Sequence, residues 1–325
     1  GFNYFFGYNC QRQAHNLYPT HLWENESRVF LNNELQPPHV KHDQDENVPD
    51  STFFNQFLQQ DFAPDAMQEK VLEFVRNNAG NPFFLYYAAQ DIHVPRAPHP
   101  RFHGKTKLGY RGDAMVQFDW AVGQILQELK DNGLEETTGV IFSRDNGAVY
   151  DDGYHDGTKV LTSTKEVDQG HDGSGIYRGG KYQIYEGGTR VPFIIKWPGK
   201  IKPGKSKAMM NQIDFLASFA SMLDIKLQPS QAKDSRNVLS SLLGNDQDGV
   251  EFMLEEAHIL ALREGHWKFI EKTNKRGPQL FNLEKDPGEK KNIAKQHNER
   301  LKSMQKKLKA IRSAKQGIRG LELSK

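Results

Sequence analysis

Three groups of side chains in this sequence have the types and spacing to do chemistry. Asp145-Asn146-Gly147 follows the apolar run Val140-Ile141-Phe142 and sets a carboxylate beside an amide oxygen. Two hard oxygen donors suit Ca2+ or Mg2+ better than zinc, although Asp-Asn-Gly is also the composition of an ordinary turn. Lys181 closes Arg178-Gly179-Gly180-Lys181, where an ammonium could hold an anion. The preceding spacing is not that of a Walker loop, and no Ser or Thr follows the lysine. Gln90, Asp91 and His93 come directly after the run Phe83–Ala89. A lone histidine in such a place is as readily a hydrogen-bonded structural residue. By residue chemistry alone, the three groups describe a metal-assisted site for an anionic substrate.

Such groups need elements to aim them. Phe83-Phe84-Leu85-Tyr86-Tyr87-Ala88-Ala89 is a continuous apolar run of strand length, which predicts a strand buried on both faces of a parallel sheet. Val140–Phe142 and Val191–Trp197 predict two more. Met67, Val71, Phe74 and Val75 recur at helical spacing, as do Met115, Phe118, Val122, Ile125, Leu126 and Leu129. Asp131-Asn132-Gly133 closes the second of these helices. Ile213, Leu216, Ala220 and Leu223 predict a third. Strands alternating with helices imply an α/β core with a parallel or mixed sheet, and ligands in such sheets sit beyond the carboxyl ends of the strands.

The remaining segments are less regular. The first sixty residues are aromatic and Asn-rich, with Pro37-Pro38 and the acidic stretch Asp43–Asp50, and read as a long surface excursion. Asp151–Gly180 is a loop rich in Gly, Asp and His, of a length that in a compact domain usually means function or disorder. After about Gly244 the texture changes. Ala261–Ile270 reads as a hairpin, Leu280–Leu283 as a further strand, and Leu301, Met304, Leu308 and Ile311 as an amphipathic helix. The division expected is residues 1–245 for an α/β domain and 246–325 for a small α+β subdomain, an antiparallel sheet with one helix against it.

Composition sets outer bounds. Of 325 residues, 37% are hydrophobic and 28 are glycine, which is enough for a sizeable core and excludes a disordered or fibrous chain. No run approaches the roughly 18 apolar residues of a membrane span, and no signal peptide is visible at the start. The single cysteine, Cys10, has no internal partner for a disulfide. Net charge is +2, but unevenly spread. Between Lys285 and Lys325 thirteen basic side chains face four acidic ones, a net +9, against −7 over residues 1–284. A basic tail of this kind is either a polyanion-binding patch or one solvated helix face. No zinc-finger spacing or RNA-binding aromatic signature accompanies it, so neither a nucleic-acid nor a membrane partner is expected.

Order and wording of the motifs add a resemblance. Phe84-Leu85-Tyr86-Tyr87 through His93-Val94-Pro95 is followed by Asp119-Trp120-Ala121-Val122-Gly123 and by Val140-Ile141-Phe142-Ser143-Arg144-Asp145-Asn146-Gly147. Arg178-Gly179-Gly180-Lys181 then leads into Tyr185-Glu186-Gly187-Gly188-Thr189-Arg190-Val191-Pro192-Phe193 and Trp197-Pro198-Gly199. The tail adds Leu262–Ile270 and Leu280–Glu289. Together, from Gly1 to about Ala310, these resemble the sulfatase family of the alkaline-phosphatase-like superfamily. The fold implied is a mixed sheet flanked by helices, with the small C-terminal subdomain. The activity implied is hydrolysis of a sulfuric ester, on a sulfated carbohydrate or an aryl sulfate, in a periplasmic or secreted setting.

The resemblance also implies roles. Asp145 and Asn146 match two Ca2+ ligands. Lys181 matches the lysine that contacts sulfate and nucleophile, and His93 the histidine at the sulfate oxygen near the leaving group. A Ca2+ ion and a lysine would neutralise charge on the transferring group, and a histidine would donate to the bridging oxygen. By the resemblance, His171 and Asp172 lie in a loop at the pocket mouth, as contacts to the substrate's sugar or as part of a flexible polar loop, and His15 and Arg12 in the opening segment have the same standing. Glu186-Gly187-Gly188 with Arg190 is read as scaffolding.

One departure matters. The family's formylglycine arises in a Cys/Ser-x-Pro/Ala-x-Arg motif, whereas Cys10 is followed by Gln11-Arg12-Gln13-Ala14. The chain is therefore expected to be a sulfatase without its N-terminal portion, and inactive by itself. Two alternatives stand beside this reading: a phosphoryl-transfer member of the superfamily, and a non-catalytic binder of sulfated glycans.

Overall fold

A computed structural model describes residues 1–11, 13–33, 60–93, 96–149, 171–314 and 317–319. The chain divides into two compact units, residues 1–138 with 149–172, and residues 139–148 with 173–325.

The first unit opens with a three-stranded antiparallel sheet, β1 Phe6–Gly7, β2 His21–Glu24 and β3 Ser27–Phe30. The opening segment is thus packed, which corrects the expectation of an irregular excursion. The signal overlooked is a two-residue hairpin. His21 pairs with Phe30 and Glu24 with Ser27, leaving Asn25-Glu26 as the turn. Asn25 takes φ 53°, a left-handed conformation that asparagine tolerates at small cost. Leu22 is fully buried and packs with Ala63 and Met67 of α1, Ala63–Asn77. The acidic stretch 43–50 lies outside the described residues.

α1 is helical where the periodicity predicts it, and so is α2, Gly109–Asp131. Pro64 sits in the first turn of α1, where its missing N–H is no loss. Gly133, at φ 68°, follows α2 as expected of a helix C-terminus. Buried Gln68 on α1 donates to the Ala121 carbonyl of α2 at 2.9 Å, tying the two helices together.

Phe83–Ala89 departs from its expectation. It is neither helix nor strand; its side chains alternate between half-buried and exposed, and it belongs to no described ladder. Phe84 is 61% and Tyr86 72% exposed, so only one face is covered. Apolar content and length make a strand possible, but a ladder also needs a neighbour with free backbone groups, and no described segment supplies one.

The second unit contains β4 Val140–Ser143, the short helix α3 Glu186–Thr189 and β5 Phe193–Lys196. β4 and β5 pair antiparallel, Val140 opposite Lys196 and Ser143 opposite Phe193. Helix α4, Phe215–Met222, confirms the third predicted helix, but of its predicted stripe only Ala220 is buried. Ala217, Ser218 and Ala220 point inward, while Leu216 and Leu223 are exposed. α5, Leu239–Leu242, follows.

β6 Phe252–Glu256, β7 Leu260–Glu264, β8 Trp267–Ile270 and β9 Gln279–Asn282 then form an antiparallel meander, and α6, Asn298–Ser313, supplies four residues to its core. Met304, Leu308, Leu301 and Ile311 of α6 pack with Leu262, Phe269 and Leu280. The α+β reading of this region holds, with β6 as the one strand not foreseen. On α6 several cations of the basic tail pair with acids. Lys307 lies 2.5 Å from Glu264, Arg300 2.9 Å from Glu264, and Arg312 3.1 Å from Glu271. Among the described residues no helix is long and apolar enough to cross a membrane.

Candidate functional site

β4 delivers its chain into Arg144-Asp145-Asn146-Gly147-Ala148, and hydrogen bonds hold this loop at several points. The Arg144 carbonyl accepts from Gln212 Nε2 at 2.8 Å. Asp145 Oδ1 accepts from the Asn146 amide at 2.8 Å, and Asn146 Nδ2 donates to the Gly147 carbonyl at 3.1 Å. Asp145 is exposed and Asn146 half-buried, so the carboxylate remains open to solvent. The Gly147 amide donates to the Gly188 carbonyl at 3.0 Å, and the Lys181 amide to the Ala148 carbonyl at 2.8 Å. Asp145, Asn146 and Lys181, more than thirty residues apart in sequence, are thus carried by backbone segments hydrogen-bonded to one another.

The close approach at this junction requires glycine. A Cβ on Gly147 would overlap the Gly187 carbonyl oxygen and lie 2.8 Å from Gly188 Cα. Gly179 has φ 81°, and its carbonyl accepts from Ser174 Oγ at 2.7 Å. The Arg178 guanidinium stacks on the Tyr185 ring at 3.8 Å and donates to the Glu289 carbonyl at 3.0 Å, a structural role. Lys181 itself is half-buried, its Nζ 5.2 Å from the Tyr182 ring centre.

This donor set suits Ca2+ in kind but not in number. One carboxylate and one amide oxygen are hard ligands, whereas Ca2+ takes six to eight oxygens. Among the described residues no group of three His, Cys, Asp or Glu side chains could hold a metal ion.

In the first unit His93 ends a turn closed by its amide on the Gln90 carbonyl at 3.0 Å. Its ring meets that of His15 edge to face, centres 5.0 Å apart. Two residues distant in sequence, both proposed from it, therefore meet. The neighbours of His93 are held more tightly than sequence reasoning foresaw. Buried Gln90 donates to Tyr8 Oη at 3.3 Å, and Asp91 Oδ1 accepts from Gln117 Nε2 at 2.7 Å. Gln117 Oε1 in turn accepts from the His99 amide at 2.8 Å. Burial pushes the Asp91 carboxyl upward, opposed by the Gln117 hydrogen bond. Arg96 and Arg111, both buried, donate to the Val149 carbonyl at 3.2 and 3.4 Å. Nothing local in the sequence marks these two arginines or Gln117 as buried.

His171 is half-buried, and its Nδ1 has no hydrogen-bond partner among the described residues. Asp172 beside it is exposed. Both belong to the first unit, as do His15 and His93, while Asp145, Asn146 and Lys181 belong to the second. Arg12 lies outside the described residues.

The sulfatase family model matches residues 1–225. The chain belongs to the sulfatase family. The model of the N-sulphoglucosamine sulphohydrolase C-terminal region matches residues 177–314, which include the antiparallel sheet and α6. An N-acetylgalactosamine-6-O-sulfatase of Bacteroides thetaiotaomicron is 42% identical over 77% of this chain and 51% of its own length. Human arylsulfatase A is 30% identical over 65% of this chain and 44% of its own length. The chain thus spans about half the length of these curated relatives. A solved Bacteroides thetaiotaomicron sulfatase structure, described under the metabolism of multiple glycosaminoglycans, superposes with a TM-score of 0.81 at 34% identity, over 96% of this chain and 73% of that one. A Pseudoalteromonas sulfatase at 20% identity superposes with 0.72 over 95% of this chain and 65% of that one, and shows the fold alone. The sulfatase chain described here accordingly has the alkaline-phosphatase-like α/β fold, with its antiparallel sheet and helix at the C-terminal end.

Proposed function

We propose that this chain forms part of a sulfuric-ester hydrolase acting on a sulfated carbohydrate. The observation that carries the reading is the pair of hydrogen bonds, Gly147 to Gly188 and Lys181 to Ala148. They hold a lysine and two hard oxygen donors on adjoining segments, an arrangement suited to the anionic group of a sulfate ester. A sugar ester is favoured over an aryl sulfate by the 42% identity to a relative named for N-acetylgalactosamine 6-O-sulfate.

Asp145 and Asn146 would hold Ca2+ together with further oxygens, and the ion would neutralise charge on the sulfate. Lys181 binds a non-bridging sulfate oxygen and stabilises the charge that grows as the ester bond breaks. His93 donates a proton toward the bridging oxygen, so that the sugar leaves as an alcohol. Its contact with His15 fixes the ring plane. His171 and Asp172, with Arg12, are read as contacts to the sugar. The nucleophile, a formylglycine hydrate, belongs in this reading to sequence outside these 325 residues, because Cys10 lacks the motif for conversion. The reading also carries a periplasmic or secreted location, and a catalytic portion 1–245 followed by an α+β subdomain 246–325.

The test is turnover by the full-length protein on N-acetylgalactosamine 6-sulfate and on an aryl sulfate, with and without a Ca2+ chelator. Expected are release of sulfate from the sugar, loss of rate on chelation, and a fall in kcat of about a hundredfold or more for Lys181→Ala. Binding of the sulfated sugar without any turnover would overturn the hydrolase reading in favour of a glycan binder.

A further inference from the structure

Beneath the glycines that hold the Asp145 loop lies a charged cluster that the reading above does not use. Lys268 on β8 is fully buried, as are Glu186 and Glu289. Its Nζ lies 2.7 Å from Glu255 on β6, 2.9 Å from Glu186 on α3 and 3.7 Å from Glu289. Arg263 on β7 reaches the other Glu186 oxygen at 3.1 Å, and Arg190 approaches it at 3.6 Å from the solvent side. Thr189 Oγ1 donates to Glu255 at 2.9 Å. Glu289 is bound at both ends. Its Oε2 accepts from the Glu186 amide at 2.6 Å, and its own carbonyl accepts from Arg178 at 3.0 Å. It also takes φ 49°, a backbone conformation costly for a non-glycine residue, so its side chain is held there against strain.

A buried ion cluster seldom adds stability, because desolvation consumes the Coulombic gain. It does fix geometry, and the route from it to the site is short. Glu186 begins α3, the Gly187 amide donates to the Arg178 carbonyl at 2.7 Å, and the Gly188 carbonyl accepts from Gly147 at 3.0 Å. We propose that Lys268, with Glu186, Glu255 and Glu289, is a set of positioning residues that clamps α3 and thereby fixes the loop carrying Asp145 and Asn146 against the Lys181 segment. The proposal rests on the reading of those three residues given above.

Charge balance gives the clamp a pH dependence. Three carboxylates face the ammonium of Lys268 and the guanidinium of Arg263, with Arg190 at the solvent edge and Arg178 engaging only the Glu289 main chain. Within the buried part three carboxylates meet two cations, and the third cation, Arg190, reaches Glu186 only at 3.6 Å from the exposed side. Burial pushes the Glu289 carboxyl from an ordinary 4.5 up to about 7, aided by Glu186 and Glu255 and opposed by Lys268 and the Glu186 amide. Its Oε1 is buried, 3.7 Å from Lys268 Nζ and without a hydrogen-bond partner among the described residues. A carboxyl with a raised pKa in the closed form stabilises that form fully at low pH, and the benefit is lost as pH rises toward 7. Over that window each pH unit raises the opening constant by up to about tenfold.

The test is hydrogen exchange with mass spectrometry on the full-length protein, reading peptides that contain the Gly147 and Lys181 amides, with peptides of α6 as control. In the wild type, protection at the two loops should fall by at least about tenfold between about pH 5 and pH 7.5, with a smaller change in α6. Glu289→Gln keeps an acceptor for the Glu186 amide but cannot ionise, and should hold protection within about threefold across the range. The clamp is overturned if the wild type shows no such fall, if Glu289→Gln loses protection equally, or if α6 follows the loops. Lys268→Met should lower loop protection at every pH; should it fail to fold, the Glu289→Gln comparison decides alone. Ca2+ titration separates the two readings. No Ca2+ binding with the exchange pattern intact overturns the Asp145–Asn146 assignment and not the clamp. Ca2+ binding with exchange unmoved by Glu289→Gln overturns the clamp and not the assignment.

Discussion

Replacing Gly147 by alanine adds one methyl group at the point where two turns meet. That methyl would overlap the Gly187 carbonyl oxygen and stand 2.7 Å from the Gly187 carbonyl carbon and 2.8 Å from Gly188 Cα. Relief requires one segment to recede, and both are tethered. Gly147 is bonded to Gly188 at 3.0 Å, and Gly187 to Arg178 at 2.7 Å. Overpacking costs about 1–3 kcal/mol, and losing one of these hydrogen bonds about 1 more, so a total of about 2–4 kcal/mol is expected. Gly123→Ala is the control, because Gly123 lies inside α2 with no heavy atom near its missing Cβ. Alanine there should stabilise by about 0.5–1 kcal/mol through helix propensity. Urea unfolding of the two variants beside wild type measures both signs. If Gly147→Ala unfolds within about 0.5 kcal/mol of wild type, the junction yields freely and does not hold the loop.

Three further outcomes follow from other parts of the molecule. Asp91→Asn keeps the acceptor for Gln117; because burial raises the Asp91 carboxyl, the wild type loses stability as pH rises through that raised pKa. The asparagine variant should therefore be the more stable at neutral pH and the less pH-dependent, and equal slopes in a stability-versus-pH series would count against it. Met304→Ala removes a fully buried side chain between α6 and the four-stranded sheet and should cost about 2–5 kcal/mol, read as a lower urea midpoint; a loss below about 1 kcal/mol would mean the cluster repacks freely. His15→Ala frees one face of the His93 ring and, in the full-length protein, should lower kcat on a sulfated sugar more than it raises KM; a change in KM alone would make His15 a sugar contact only.

Much of the architecture was legible in residue order. α1 and α2 carry apolar stripes strong enough to place them, and Asn132-Gly133 marks a helix end by a conformation that glycine adopts at little cost. The C-terminal hairpin and α6 were readable for the same reason: their period matches the face they bury. The motif wording also placed the chain in its family. What sequence could not supply was pairing and depth. Phe83–Ala89 has the composition of a buried strand, yet a ladder depends on a second segment that local sequence does not encode. Leu216 and Leu223 look like core and are exposed, while small Ala217, Ser218 and Ala220 are buried. Glu186, expected as scaffolding beside Arg190, gives no sign of its partner Lys268 82 positions away, and only the register of β6, β7 and β8 brings Glu255, Arg263 and Lys268 to one buried point. Residue types thus singled out Asp145, Asn146, Lys181 and His93 as candidates. The backbone bonds that hold Lys181 beside the Asp145 loop, and the buried ions beneath them, depend on long-range contacts and belong to the tertiary structure alone.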